Sequence, residues 1–354
     1  ASPCLPRKHE LPVGQRKGEV NTMKKFLSIA LALLMVCVML PVVALADGTS
    51  LPEAVGGVIT LTEDVTLSDT LQISSDTTID LNGKKLTITN KTAVYITAGT
   101  FTVKDSGTNG EMALDGTISV IMSNMKLEGG TISFNKAPAT LALVSGNFEM
   151  TGGMVCAAAD GTACFNPGYL GTSKIDIKGG VVKGASASTA VIGCGDGEFK
   201  LDVDVSGDAV VDVNHELING EGSNIVAFDI ASGTFTGKVD AADIATRAGG
   251  NLVVSDGNKF YVGATATATV ESATSGTFTV VNGTDVNLTV KGGVTVKNGM
   301  DEGTVTVNGK TLEVDKEYTA PTVIIISGDT TPAETPKTED QKNPSTGAND
   351  FVGL

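Results

Sequence analysis

The sequence predicts an all-β chain built as a right-handed parallel β-helix of about nine coils, followed by a small β-sandwich-like domain. Three observations carry this. The first is a recurring apolar-polar-apolar phrase closed by a turn, as in Met125-Lys126-Leu127-Glu128-Gly129-Gly130-Thr131-Ile132 and Ile175-Asp176-Ile177-Lys178-Gly179-Gly180-Val181-Val182. The second is its period. The phrases begin at Ile59, Ile79, Phe101, Met125, Phe148, Ile175, Val203, Phe228 and Leu252, in steps of 20, 22, 24, 23, 27, 28, 25 and 24. A period in this range marks a repeat architecture. The third is a further apolar column, Leu71/Ile73, Val94/Ile96, Ile118/Val120 and Leu141/Leu143, recurring at 23, 24 and 23.

Alternation of apolar and polar residues is strand periodicity, with successive side chains on opposite faces. Leu61, Leu81, Val103, Leu127, Met150, Ile177, Val205, Ile230 and Val254 follow two residues after the first column, and all are apolar. The residue between the columns is polar in every phrase except the last, where it is Val253. Glycines after the phrase permit the positive φ of a tight turn. One coil has no core of its own. Stacked at roughly 4.8 Å, successive coils pair their backbones and bury their inward residues in ladders, giving nine rungs a length on the order of 40 Å. A leucine-rich horseshoe needs leucines at fixed spacing and an Asn/Cys turn, which this chain lacks.

Taken in order, residues 1–22 read as translation of an upstream region, with Met23 as the real start. Met23-Lys24-Lys25 and the apolar run Phe26–Val43 read as a secretory signal over 23–46, cleaved after Ala44-Leu45-Ala46. An uncleaved membrane anchor is the alternative. Removal of 1–46 takes away six basic and two acidic residues, leaving 19 basic against 38 acidic and a net charge of −19. That balance excludes nucleic acid as the expected partner and suits a secreted protein.

Ser50-Leu51-Pro52-Glu53 has capping-box spacing and predicts one turn of helix over Leu51–Val55, covering the first coil. The β-helix is expected over 47–262. Over 263–327 the rhythm shortens. Asn282-Gly283, Asn298-Gly299 and Asn308-Gly309 predict antiparallel hairpins there, with a degenerate continuation of the rod as alternative. Residues 328–342, rich in Pro, Thr and charge, read as a disordered linker.

Candidate chemistry is sparse. The expected mature chain has three cysteines, Cys156, Cys164 and Cys194, one histidine, His215, and one arginine, Arg247. Histidine triads and His-rich metal sites are therefore nearly excluded. A Cys156–Cys164 bridge and plain apolar packing are both open. The acidic column Glu149, Asp176, Asp204 and Asp229 is the sharpest local feature. Like charges on neighbouring rungs repel. Calcium on Asp176, Asp204 and Asp229, acid/base work on a glycan, or a solvated face are its three readings. Tyr169, in the insertion Phe165-Asn166-Pro167-Gly168-Tyr169-Leu170, is the candidate aromatic contact for a sugar, or a loop-packing residue.

The signal peptide, Ile59-Thr-Leu-Thr-Glu-Asp-Val-Thr-Leu67, Ile79-Asp-Leu-Asn-Gly-Lys-Lys-Leu86 and Ile230-Ala-Ser-Gly-Thr-Phe235 together resemble the pectate-lyase-like parallel β-helix surface proteins of gut Firmicutes, which are Gram-positive bacteria. The resemblance spans 47–260 and implies the fold. Lyases of that family use a catalytic arginine with calcium-binding aspartates, and here only Arg247 is available. The family's pectin hydrolases carry Asn-Thr-Asp, Asp-Asp and Gly-His-Gly, none of which occurs in this chain. Lys342-Asn-Pro-Ser-Thr-Gly-Ala-Asn-Asp-Phe-Val-Gly-Leu354 resembles the start of a sortase signal of the Leu-Pro-x-Thr-Gly type, with Asn343 in place of Leu. That resemblance implies that 343–354 is a truncated sorting signal, with Thr346 joined to peptidoglycan.

The expectation is a monomeric, non-catalytic rod on the cell surface, anchored to the wall, adhesive and in contact with a glycan or host ligand. The alternative is a polysaccharide lyase or glycoside hydrolase of the same fold.

Overall fold

The structure is a computed structural model. It describes residues 50–157, 163–168, 170–184, 190–193, 198–214, 216–219, 225–263 and 276–322. Strand accounts for 54% of it and helix for 3%, so the fold is all-β.

Each coil visits three sheets in turn. The first coil runs Val58–Thr60, Val65–Leu67 and Leu71–Ile73, and the next begins at Thr77–Asp80. The first sheet stacks eight strands, all in parallel register: Val58–Thr60, Thr77–Asp80, Thr100–Lys104, Asn124–Leu127, Asn147–Met150, Leu170–Ile177, Glu198–Val205 and Ile225–Ile230. The result is a parallel β-solenoid of about seven turns.

The interior is what the alternation requires. Phe101, Met125, Phe148, Ile175, Val203 and Phe228 form one inward ladder. Val65, Leu86, Met112, Ile132, Val155, Val182, Val211 and Phe235 form the ladder of the second sheet. The third sheet pairs Leu71, Val94, Ile118 and Leu141, and likewise Ile73, Ile96, Val120 and Leu143. All but the half-buried Leu71 are buried, in one continuous core. Across it the Phe148 ring meets Phe165 of the third sheet, centroids 5.2 Å apart.

The paired glycines close the first turn as expected. Gly130, Gly153 and Gly180 occupy one corner of successive coils with φ of 79°, 75° and 80°. A Cβ on Gly153 would lie 2.5 Å from the Gly130 carbonyl oxygen, so the position needs glycine for space as well as for backbone freedom.

Four sequence expectations change. Ile79 pairs with Val103, and it is Thr77 that faces Phe101. Ile59 and Ile79 therefore belong to the ladder Val103, Leu127, Met150, Ile177, Val205 and Ile230, two residues along. The cause is local. Asp80 is buried and its Oδ1 accepts the Asn82 and Ser106 amides at 3.1 and 2.9 Å, while Lys104 lies 3.5 Å away.

Second, the ninth phrase leaves the rod. Val253 and Val254 are both fully buried, and Val253–Ser255 runs antiparallel to Lys259–Val262 and to Gly276–Asn282. The apolar Val253, between two columns that elsewhere flank a polar residue, is the sequence signature of a strand covered on both faces.

Third, no helix forms over Leu51–Val55. Leu51 packs on the core as irregular chain, and Val55 bridges Val58. Among the described residues the α-helix is instead Ala241–Ala248, at the opposite end of the rod. Asp240 caps it, accepting the Ala242 and Asp243 amides at 2.8 and 3.2 Å. Ile244 and Ala248 enter the rod core, so this helix covers its last coil.

Fourth, only one of the three Asn-Gly pairs closes a hairpin. Asn308 and Gly309, with φ of 49° and 78°, join Val305–Val307 to Lys310–Leu312. Gly276–Asn282 and Val294–Asn298 run parallel instead. Asn298 is buried, donating to Gly303 and Leu312 carbonyls and accepting the Met300 amide. In this C-terminal part, strands that extend the second sheet and the three-stranded sheet Asn287–Leu288, Val305–Val307, Lys310–Leu312 share a separate core, Val254, Phe278, Val280, Leu288, Val296 and Val307 among its members.

Candidate functional site: a charge ladder on the outer face of the first sheet

Residues one position after the inward ladder face outward on every rung. Their register is Thr102, Lys126, Glu149, Asp176, Asp204 and Asp229. The four carboxylates expected to share a column therefore do share one, on four consecutive coils. Glu149, Asp176 and Asp204 are half-buried and Asp229 is exposed.

Two lysines that the sequence reading passed over decide the electrostatics. Lys174 and Lys178 flank Asp176 at two residues on either side of the same strand phrase, so all three face outward. Lys126 reaches Glu149 at 2.9 Å and Lys178 reaches it at 2.6 Å. Lys178 also lies 3.5 Å from Asp176. Lys174 lies 3.4 Å from Asp176 and 2.7 Å from Asp204. The column is a chain of alternating charge from Lys126 to Asp204. The pattern Lys174-Ile175-Asp176-Ile177-Lys178 signals it once the register is known.

The protonation states follow. Hydrogen bonds from Lys178 and then Lys126 hold the Glu149 carboxyl below its ordinary value. The hydrogen bond to Asp204 raises the Lys174 ammonium above its ordinary value, and that to Glu149 does the same for Lys178. This donor set does not suit calcium on Asp176, Asp204 and Asp229, because ammonium groups already sit against two of the three. Among the described residues, no group of three or more His, Cys, Asp or Glu is placed to hold a metal ion.

Beside the ladder runs a second outward column, Thr100, Asn124, Asn147 and Lys174. Asn147 donates its amide to Asn124 Oδ1 at 3.0 Å. Between the long side chains of one column and the short amides of the other lies a shallow groove of about 280 Å³.

Arg247 lies on the capping helix. Its Nε donates to Asp243 at 2.8 Å, its guanidinium lies 4.6 Å from the Phe228 ring centroid, and its side chain is largely buried on the capping helix. Cys156 and Cys164 are free thiols. Cys164 is buried, its Sγ donates to the Lys183 carbonyl at 3.3 Å, and burial pushes its thiol up to about 12. Burial also raises the half-exposed Cys156 thiol, so neither is poised as a nucleophile. Tyr169, Cys194, His215, Thr346, the signal segment, the linker and the sorting motif lie outside the described residues.

Comparison of the chain with protein-family descriptions, with curated proteins and with solved structures returns no match.

Proposed function

We propose that the chain is a non-catalytic extracellular rod, exported, held to a Gram-positive cell wall through Thr346 and its linker, and adhesive towards glycans or a host surface. Its kinship would be with the pectate-lyase-like surface proteins. The observation that carries the non-catalytic part is the self-neutralised ladder. Acid/base cleavage of a glycoside needs two carboxyl groups with divided roles, one holding a proton and the other ionised. Here hydrogen bonds from Lys178 and Lys126 favour the ionised form of Glu149, while Asp176 is ion-paired with Lys174 and Lys178 and Asp204 with Lys174. Lyase chemistry of the kind the resemblance implies needs an arginine beside the substrate, and Arg247 is engaged with Asp243 and Phe228. The export and anchoring parts rest on the sequence of 23–46 and 343–354.

Turnover assays on pectin, polygalacturonate and host glycans test this, with Asp176→Asn and Asp204→Asn alongside. No release of products is expected from any of the three proteins. Products that vanish in either variant would establish the enzyme alternative.

A further inference from the structure

The chain holds six Asn-Gly pairs, at Asn82, Asn109, Asn219, Asn282, Asn298 and Asn308. Asparagine is a chemically labile residue, and a following glycine leaves the next backbone nitrogen unhindered by a Cβ. We propose that Asn282 is a site of spontaneous self-modification, converting to aspartate or isoaspartate through attack by the Gly283 nitrogen, and that the product loosens the helix capping the rod. The Gly283 nitrogen bonds to Cγ of Asn282 while the Cγ–Nδ2 bond breaks. Ammonia leaves with the proton that the Gly283 nitrogen gives up. The five-membered imide then takes up one water and opens at either carbonyl, to aspartate or to isoaspartate. Nothing is oxidised or reduced, and water is the one co-reactant.

Hydrogen bonding sorts the pairs. Gly83 and Gly110 donate their N–H groups to Oδ1 and Oδ2 of the same Asp105, both at 2.7 Å. Gly299 donates to the Val280 carbonyl at 2.9 Å, and Asn298 is buried with both ends of its amide engaged. Each such bond must break before the nitrogen can attack. Gly283 and Gly309 donate to no acceptor among the described residues. They differ in their asparagines. Both ends of the Asn308 amide are tied to Val290, Nδ2 donating to its carbonyl and Oδ1 accepting its N–H. Asn282 is held through Nδ2 alone, and its Oδ1 meets no donor among the described residues. Gly220 lies outside the described residues.

The amide of Asn282 has a structural task that its product cannot perform. Its Nδ2 donates to the Gly249 carbonyl at 2.6 Å and to the Asn251 carbonyl at 3.0 Å. Gly249 ends the capping helix, and Asn251 donates in turn to the Ile230 carbonyl at 3.1 Å on the last strand of the first sheet. One side chain therefore ties the strand Gly276–Asn282 to the end of the helix. A carboxylate in its place has no proton to donate. It faces two carbonyl oxygens at the negative end of the helix dipole, so the tie becomes a repulsion.

Peptide mapping by mass spectrometry tests the inference on the full chain, held folded in mildly alkaline buffer and sampled over time. Asn282 should convert ahead of Asn82, Asn109, Asn298 and Asn308, with isoaspartate among its products. Asn82 and Asn109 should convert at least roughly tenfold more slowly, the cost of breaking a hydrogen bond to a charged group. In denaturant the lead of Asn282 should vanish, because the fold and not the dipeptide sets it. Asn282→Asp should exchange its amide hydrogens over Ala241–Ala248 faster than the parent protein. Where that variant fails to fold, the aged parent protein reads the same change. Any of the other four converting before Asn282 in the folded chain, a lead that persists in denaturant, or helix exchange unchanged by the conversion would each overturn the inference.

Discussion

The first sheet presents two faces made by the same strands, and they obey different rules. Inward, Phe101, Met125, Phe148, Ile175, Val203 and Phe228 are interchangeable in chemistry and share one dry interior. Outward, Thr102, Lys126, Glu149, Asp176, Asp204 and Asp229 differ in charge, and each depends on what stands two residues away or one rung away. The inward ladder holds the fold together by area removed from water. The outward ladder adds little stability, because exposed ion pairs are screened and costly to order. It sets the surface chemistry instead.

Substitutions separate the two faces by size of effect. Phe148→Ala should be the largest loss, about 3–5 kcal/mol, because it removes a buried ring stacked against Phe165 and leaves a cavity. Chemical denaturation measures it, and a loss under about 1 kcal/mol would mean that the interior is not packed as described. Gly153→Ala should cost about 1–3 kcal/mol, since the turn has positive φ and the new methyl meets the Gly130 carbonyl. A neutral result there would show that the turns do not stack. Lys174→Ala should cost no more than about 1 kcal/mol, although it touches both Asp176 and Asp204. A loss as large as that of Phe148→Ala would invert the comparison.

The smallest effect is in pH. Glu149 titrates below its ordinary value in the fold because of Lys178 and Lys126. Its contribution is present above the unfolded carboxylate value and is lost as pH falls through the lower folded value. Lys174 has the opposite sign, held above its ordinary value by Asp204 first. Its contribution is present below the ordinary lysine value and disappears as pH rises through the higher folded one. Thermal melts should be level between these limits and decline at both ends. Lys126→Ala with Lys178→Ala should shallow the acid decline, and an unchanged acid limb would show that the ladder does not form in solution.

The two ends of the rod show where sequence reading works and where it does not. At the N-terminal end, Ser50-Leu51-Pro52-Glu53 has the local signals of a helix start, yet the chain stays irregular. Local capping signals stabilise a helix only weakly, and one turn is too short to hold without packing. At the other end, Asp240-Ala-Ala-Asp-Ile-Ala-Thr-Arg-Ala-Gly249 was legible as a capped helix, with Asp240 at its start and Gly249 past its end. It went unread because the 24-residue step from Phe228 to Leu252 fits the repeat so well. Regular spacing concealed a helix where a coil was expected.

The acidic column shows a similar split. That Glu149, Asp176, Asp204 and Asp229 share a face follows from the period alone. That Lys174 and Lys178 stand against them follows only after strands at steps of 27 and 28 are brought into register. The misplacement of Ile79 has the same origin, since a shift of two residues preserves every inward and outward assignment and so leaves no trace in the hydrophobic pattern.

Sequence by itself determined the all-β class, the stacked coils, the apolar columns of the first and third sheets and the outward placing of the acidic column. It could do so because a period-2 strand inside a roughly 24-residue repeat admits one way of burying its apolar residues. Tertiary structure alone decided where the rod stops, which end a helix covers, and which ammonium meets which carboxylate. Apart from the contacts of Lys174 and Lys178 with Asp176 on their own coil, the ladder's ion pairs join side chains from different coils, more than 20 residues apart along the chain, and no local pattern encodes that meeting.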